Sequence, residues 1–305
     1  MAWDLLLAQA LNGLQYGILL FLLGAGLTLV LGIMNFVNLA HAALYMLGAY
    51  IGATVFVSTG SFVIAGLATV LGTFLIGAIV ERTTLRAFYH RDHLDQVLAT
   101  FGLILVFNEL VRIIWGAQPL YMRPPDGFTG TVMVLGMTYP AYRFLVIAVG
   151  LAVAAALYII IHHTRMGMLI RAGASNARMV SVLGVNIRLL NTLIFSLGAA
   201  LAGLAGFMAG PILAVQPGMG DYVLIAVLVV IVIGGIGSIR GAFFGALIVG
   251  VVDTIGRTYL PLLLRQIADR ATADTAGPAL ASLLMYLFMA IVLAIRPQGL
   301  FPARR

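Results

Sequence analysis

The sequence predicts an all-α, polytopic membrane protein of eight to ten transmembrane helices, some of them broken or re-entrant. Three observations predict it. The 305 residues are 62% hydrophobic and only 9% charged, whereas a soluble domain of this size carries roughly 25% charged residues. Apolar windows of about 20 residues recur along the whole chain, each long enough to cross a hydrocarbon core. The alternating segments of about ten residues that build a membrane β-barrel are absent.

Apolar runs and polar breaks place the spans in order. The first run, about 10–33, ends at the polar Asn35, and the second occupies about 37–58. The third occupies about 61–81. The fourth and fifth lie at about 96–115 and 142–162, separated by a segment rich in turn formers that includes AQPLYMRPPDGFTG. A polar, amphipathic helix is expected at about 168–183. Further spans follow at about 188–210, 221–236, 241–260 and 279–295. The first and second spans, and the pair around Gly234–Gly241, have very short connections, which permits re-entrant or unwound backbone there.

Arginine orients the chain. All 17 basic residues are Arg. With nine alternating spans, Arg82, Arg86, Arg91, Arg165, Arg171, Arg178, Arg188, Arg240, Arg296, Arg304 and Arg305 fall on one side, 11 of the 17. The positive-inside bias makes that side cytoplasmic, with the N-terminus outside and the C-terminus inside. The same bias accounts for a net charge of +7 without invoking nucleic acid. The segment MAWDLLLAQALNG carries Asp4 and no basic residue, so a retained first helix is expected rather than a cleaved signal.

Several chemistries are excluded. Without Lys there is no Schiff-base chemistry and no Walker A lysine, so no nucleotide site of that type exists on this chain. Without Cys there is no disulfide and no thiolate site. The glycine pattern Gly234-Gly235-Ile236-Gly237-Ser238 does not match GxGxxG, and neither HExxH nor GxSxG occurs. His90 and His93 lack a third ligand, so no metal site is expected. His162 and His163 are expected at a solvated membrane boundary.

Two junctions are candidate linings of a path. Asn35, Asn38 and His41 recur every three residues, which would put them on one face of a helix start. Polar groups at that depth are costly without partners, so they either cap and bridge helices or line a gate; a broken helix can do both. Tyr45 follows His41 and is grouped with them. Gly234, Gly235, Gly237 and Ser238 form the second junction, suited either to a tight turn or to an unwound pathway segment. Gly241/Gly245, Gly48/Gly52 and Gly206/Gly210 have GxxxG spacing, the signature of close helix packing. Glu109/Arg112 and Asp253/Arg257 have ion-pair spacing, either structural or an ion relay.

Between Gly127 and Gly220 there is no Asp or Glu, yet five Arg occur. Within this region the run His162–Asn191 stands out as a basic island between apolar spans. As one helix, Ala172, Met179, Val180 and Leu183 would form an apolar stripe and Arg171, Ser175 and Arg178 another face, with Gly184 and Asn186 as the stop. Its home could be the membrane surface, the chain's own loops or a partner's groove.

The stretches GLTLVLGIMNFVNLAHAALYMLGAY, RAGASNARMVSVLGVNIRLLN, GGIGSIRGAFFGA and RPQGLFP resemble, in the same order and over essentially the whole chain, the LivH-type permease subunits of branched-chain amino acid ABC importers. The resemblance implies one permease domain over 1–305 with a cytoplasmic coupling loop at 163–190. It implies a second homologous permease, identical or different, two cytoplasmic ATPases carrying ATP and Mg, and an extracytoplasmic solute-binding protein, all at a bacterial inner membrane. It places no cofactor on this chain and makes it a transport subunit, not an enzyme. It assigns Arg171, Ala172, Asn176, Arg178, Met179, Leu183 and Gly184 to ATPase coupling, and alternating access to the mechanism. Cargo would be branched-chain amino acids or a related solute such as urea, amides or aromatic acids. The alternative from the residues alone is a secondary transporter or channel that works through its intramembrane ion pairs.

Overall fold

A computed structural model describes residues 2–267 and 269–302. Among the described residues it is all-α apart from one small hairpin and an isolated β-bridge. The helices are α1 (Ala2–Met34), α2 (His41–Thr59), α3 (Phe62–Thr83), α4 (His93–Trp115), α5 (Ala141–His163), α6 (Arg165–Val182), α7 (Ile187–Ala209), α8 (Met219–Gly234), α9 (Ile239–Leu264) and α10 (Arg270–Ile295). A short 3-10 turn, Leu85–Phe88, links α3 to α4. Among the described residues, eight helices are long and apolar enough to cross a membrane; α8, at 16 residues, is shorter. The expected polytopic class therefore holds.

α1, α2 and α7 form the core, and the apolar faces of α3, α4, α5 and α10 look outward. In a bilayer the hydrophobic effect does not separate these two groups of helices; close backbone approach does. At the α2–α7 crossing Gly48 lies against the backbone of Gly203, and Gly206 against the Tyr45 carbonyl. At the α1–α9 crossing Gly13 and Gly17 meet Gly250, Val251 and Ala246. The GxxxG glycines thus mark seams.

The helices alternate between two ends. At one end Gly32 touches Gly237, the Val37 N–H donates to Gln96, Arg86 donates to Thr192, and Arg240 lies 5.8 Å from the centre of the Tyr158 ring. At the other end Leu120 and Val215 form a β-bridge, Trp115 Nε1 donates to Thr54 at 2.7 Å, and Tyr142 donates to the Met208 carbonyl at 2.8 Å. The nine arginines of the orientation set from Arg82 to Arg296 belong to segments at the first end; Arg304 and Arg305 lie outside the described residues.

The loop between α4 and α5 holds a hairpin, β1 (Thr131–Val134) with β2 (Met137–Pro140), antiparallel with Val134 opposite Met137. Its turn puts Leu135 at φ +49° and Gly136 at φ +88°, the two left-handed residues a two-residue hairpin of this twist needs.

Candidate functional site

The first end collects the candidate functional residues. The α1–α2 linker departs from expectation. Asn35 adopts φ +48° and ends α1, and α2 begins only at His41. Asn35 and Asn38 are therefore on irregular backbone, not on a shared helix face. Neither caps α2: its N-cap residue is Ala40, with no side-chain cap bond. Asn35 is exposed, whereas Asn38, His41 and Tyr45 are buried. His41 Nε2 lies 3.1 Å from the Leu23 carbonyl, and both amide atoms of Asn38 lack a protein partner. In this conformation Asn38, His41 and Tyr45 are interior, where α1, α2 and α7 pack.

The α8–α9 junction also has structural tasks. Gly235 (φ +106°) and Gly237 (φ +80°) make the turn, and a side chain at Gly235 would meet the carbonyls of Gln298 and Phe301 at 3.0 Å. Gly234 packs on the Gly241 backbone. The Ser238 hydroxyl caps α9 by accepting from the Gly241 N–H at 3.0 Å. The tail after α10 straps this turn: the N–H groups of Leu300 and Phe301 donate to the Ile233 and Gly234 carbonyls at 2.8 and 3.0 Å. These carbonyls belong to the last turn of α8, which has no intrahelical donors for them.

The basic segment is helical but not one straight helix. Asn176 has non-helical backbone (φ −156°, ψ 87°), and its Oδ1 accepts from the Met179 N–H at 2.9 Å. Asn favours this role because its short amide substitutes for the missing helical acceptor. The break divides the expected stripe. Val180 is buried and Ala172 half-buried, but Met179 and Leu183 point outward, 58% and 76% exposed. Arg171 donates to the Ile161 carbonyl at the end of α5 and so braces the α5–α6 corner. Arg178 is exposed. Gly184 (φ +87°) stops the helix as expected: its N–H donates to the Ser181 carbonyl, and that of Val185 to the Val180 carbonyl, the paired bonds of a left-handed C-terminal cap.

Two polar clusters escaped sequence reasoning. Glu81 is fully buried and accepts from Tyr89 at 2.6 Å, Thr192 at 2.7 Å and Arg86 at 3.0 and 3.3 Å. Gln96, 3% exposed, accepts from the Val37 N–H at 3.1 Å and donates to the carbonyls of Arg91 and Phe88. A lone carboxylate closing an apolar run and a lone amide opening one were the available signals. The sequence offered no partner at helical spacing for Glu81–Thr192, 111 residues apart.

Both expected ion pairs form. Glu109–Arg112 is exposed at 3.3 Å, and Asp253–Arg257 at 2.8 Å buries the carboxylate. Arg257 also donates to Ser282 at 3.3 Å, joining α9 to α10. Removing Arg257 leaves Asp253 uncompensated at membrane depth. Arg257→Ala is expected to lower stability by about 1–3 kcal/mol, the half-exposed guanidinium keeping the figure below that of a dry pair. Thermal unfolding in detergent measures it, and Asp253→Asn in the same chain should restore part of the loss. Among the described residues no three His, Asp or Glu side chains are grouped to hold a metal ion.

Residues 9–293 match the family described as branched-chain amino acid transport system / permease component. The high-affinity branched-chain amino acid transport system permease protein BraD of Pseudomonas aeruginosa is 27% identical, over 96% of this chain and 95% of its own. The corresponding protein LivH of Escherichia coli is 29% identical over 83% of this chain and 87% of its own. The ribose import permease protein RbsC of Escherichia coli is 27% identical over 76% and 72%. No solved structure matches this chain.

Proposed function

The chain belongs to the branched-chain amino acid transport permease family, and from that membership we propose that it is one of two permease subunits of an ATP-driven importer. The end bearing α6 is cytoplasmic, which puts the N-terminus outside and the C-terminus inside. A second homologous permease completes the path. Two ATPases, holding ATP and Mg, drive it, one of them docking on α6, and a solute-binding protein delivers cargo at the hairpin end. The cargo is a branched-chain amino acid; urea, amides, aromatic acids and, from the RbsC similarity, sugars are the competitors.

The observation that carries the reading is α6 itself. A family permease presents, at its arginine-rich end, a broken helix whose Met179, Val182 and Leu183 are exposed beside Arg178. Apolar side chains displayed off the membrane-spanning helices and rimmed by basic charge fit a protein groove. Nucleotide closure of that groove would move α6 and switch the subunit between outward- and inward-facing states.

Reconstitution tests it. The chain is placed in liposomes with a second permease, ATPases and a solute-binding protein of the same importer, and labelled leucine uptake is followed. Uptake that requires ATP and the binding protein is expected. Leucine flux through the purified chain alone, without ATP, would instead establish a stand-alone transporter or channel working through pairs such as Asp253–Arg257.

A further inference from the structure

Resting on the importer reading, we infer that Glu81 is a positioning residue that transmits movement of α6 and α7 to the α1–α2 linker. The contacts form a continuous route. Gly173 of α6 packs on Leu190 of α7, one turn from the α7 start. Two residues on, the Thr192 hydroxyl donates to Glu81 Oε2 at 2.7 Å and accepts from Arg86 at 3.0 Å. The Arg188 carbonyl also lies 2.9 Å from the same hydroxyl oxygen, and the charged acceptor is the stronger partner for its one proton. The other carboxylate oxygen, Oε1, accepts from the Tyr89 hydroxyl at 2.6 Å. The Tyr89 ring then meets Phe36 of the linker edge-on, with centroids 5.6 Å apart. Gln96 holds the next residue by the Val37 N–H.

Three physical features favour transmission over mere bracing. The carboxylate is wholly buried and uses both oxygens, so α7 cannot shift without breaking charge-assisted bonds or carrying Tyr89 with it. Tyr89 remains a donor: burial, then its bond to Glu81, pushes its phenol above the ordinary range. The linker at the far end is the strained element, with Asn35 in the left-handed region and the buried Asn38 amide without a protein partner. Strained backbone and unsatisfied polar groups concentrate where a segment has two arrangements. Such a route counts as coupling only when perturbing it decouples its two ends.

The chain has no native Cys, so one introduced thiol on it reports one place. Ser175→Cys on α6 and Met34→Cys at the end of α1 are each labelled with an environment-sensitive dye in the assembled transporter, and the response to ATP is read. In the otherwise unaltered chain both reporters are expected to respond. With Thr192→Val or Tyr89→Phe, each lacking one hydroxyl, the Ser175 reporter should respond as before while the Met34 response falls about threefold or more. Thr192→Ser restores the hydroxyl and should restore the response. The double variant should lose no more than either single one, because the two hydroxyls act through one carboxylate. An unchanged Met34 response in either single variant, or only one of the two reporters responding in the unaltered chain, overturns the inference. Silence of both reporters in the unaltered chain would overturn the importer reading instead.

Discussion

Replacing Val182 and Leu183 together by Asp is expected to abolish ATP-driven uptake while leaving the chain inserted and folded. Both side chains are more than three-quarters exposed, 79% and 76%, so the isolated chain loses no packing. In the assembled transporter each would bury an apolar side chain, which contributes about 1.5–3 kcal/mol. Two carboxylates left facing that groove would add a desolvation cost. ATPase affinity should fall at least about 100-fold, since each tenfold corresponds to about 1.4 kcal/mol. Co-purification of the ATPase with the variant, alongside leucine uptake, checks it; full retention of both would remove α6 as the docking element. Arg171 and Arg178 separate in the same assay. Arg178→Glu should act on docking alone. Arg171→Glu should also lower thermal stability, because Arg171 braces α6 on the Ile161 carbonyl.

Gly206→Val is expected to prevent stable assembly of the fold. A side chain at Gly206 would fall on the Tyr45 carbonyl, and only 3.2 Å from the Ala49 nitrogen. These are backbone atoms of a neighbouring helix and cannot rotate away. Overpacking a core costs about 1–3 kcal/mol even where side chains can adjust; separating two helix backbones should exceed that. The aligned pair Gly48 and Gly203 would be pulled apart with it. Gly102→Val is the matched comparison, since a side chain at Gly102 in α4 meets nothing within 4 Å. Size-exclusion profiles and thermal unfolding should show Gly206→Val aggregated or strongly destabilised and Gly102→Val unchanged. A monodisperse Gly206→Val protein with unaltered melting would show that the α2–α7 seam does not hold the fold.

Much of the architecture was legible in the sequence. Apolar runs lasting a bilayer's width revealed the spans, because length and hydropathy are one-dimensional quantities. Gly184 was legible as a helix stop, and the ion-pair spacings were legible because helical geometry links positions three and four apart. The linker was less so. Asn35, Asn38 and His41 read as one face only if the helix starts early, and the left-handed Asn35 removes that premise. The apolar stripe of α6 is divided for a similar reason: a periodic pattern assumes unbroken backbone, and Asn176 breaks it. Its capping chemistry was visible, but its weight against the helical alternative was not.

By itself, the sequence determined a helical membrane chain, the clustering of arginines at one end, the absence of a lysine-based nucleotide site, and a family resemblance that the match over residues 9–293 upholds. Tertiary structure alone decided which helices form the core, that Arg171 braces while Met179, Val182 and Leu183 are displayed, and that Glu81 joins α3 to α7. The physical reason is range. Hydropathy and helix spacing act between near neighbours in the chain. Backbone approach at Gly206 and Tyr45, and a buried carboxylate's choice of Thr192, depend on contacts across more than a hundred residues, which exist only once the helices have packed.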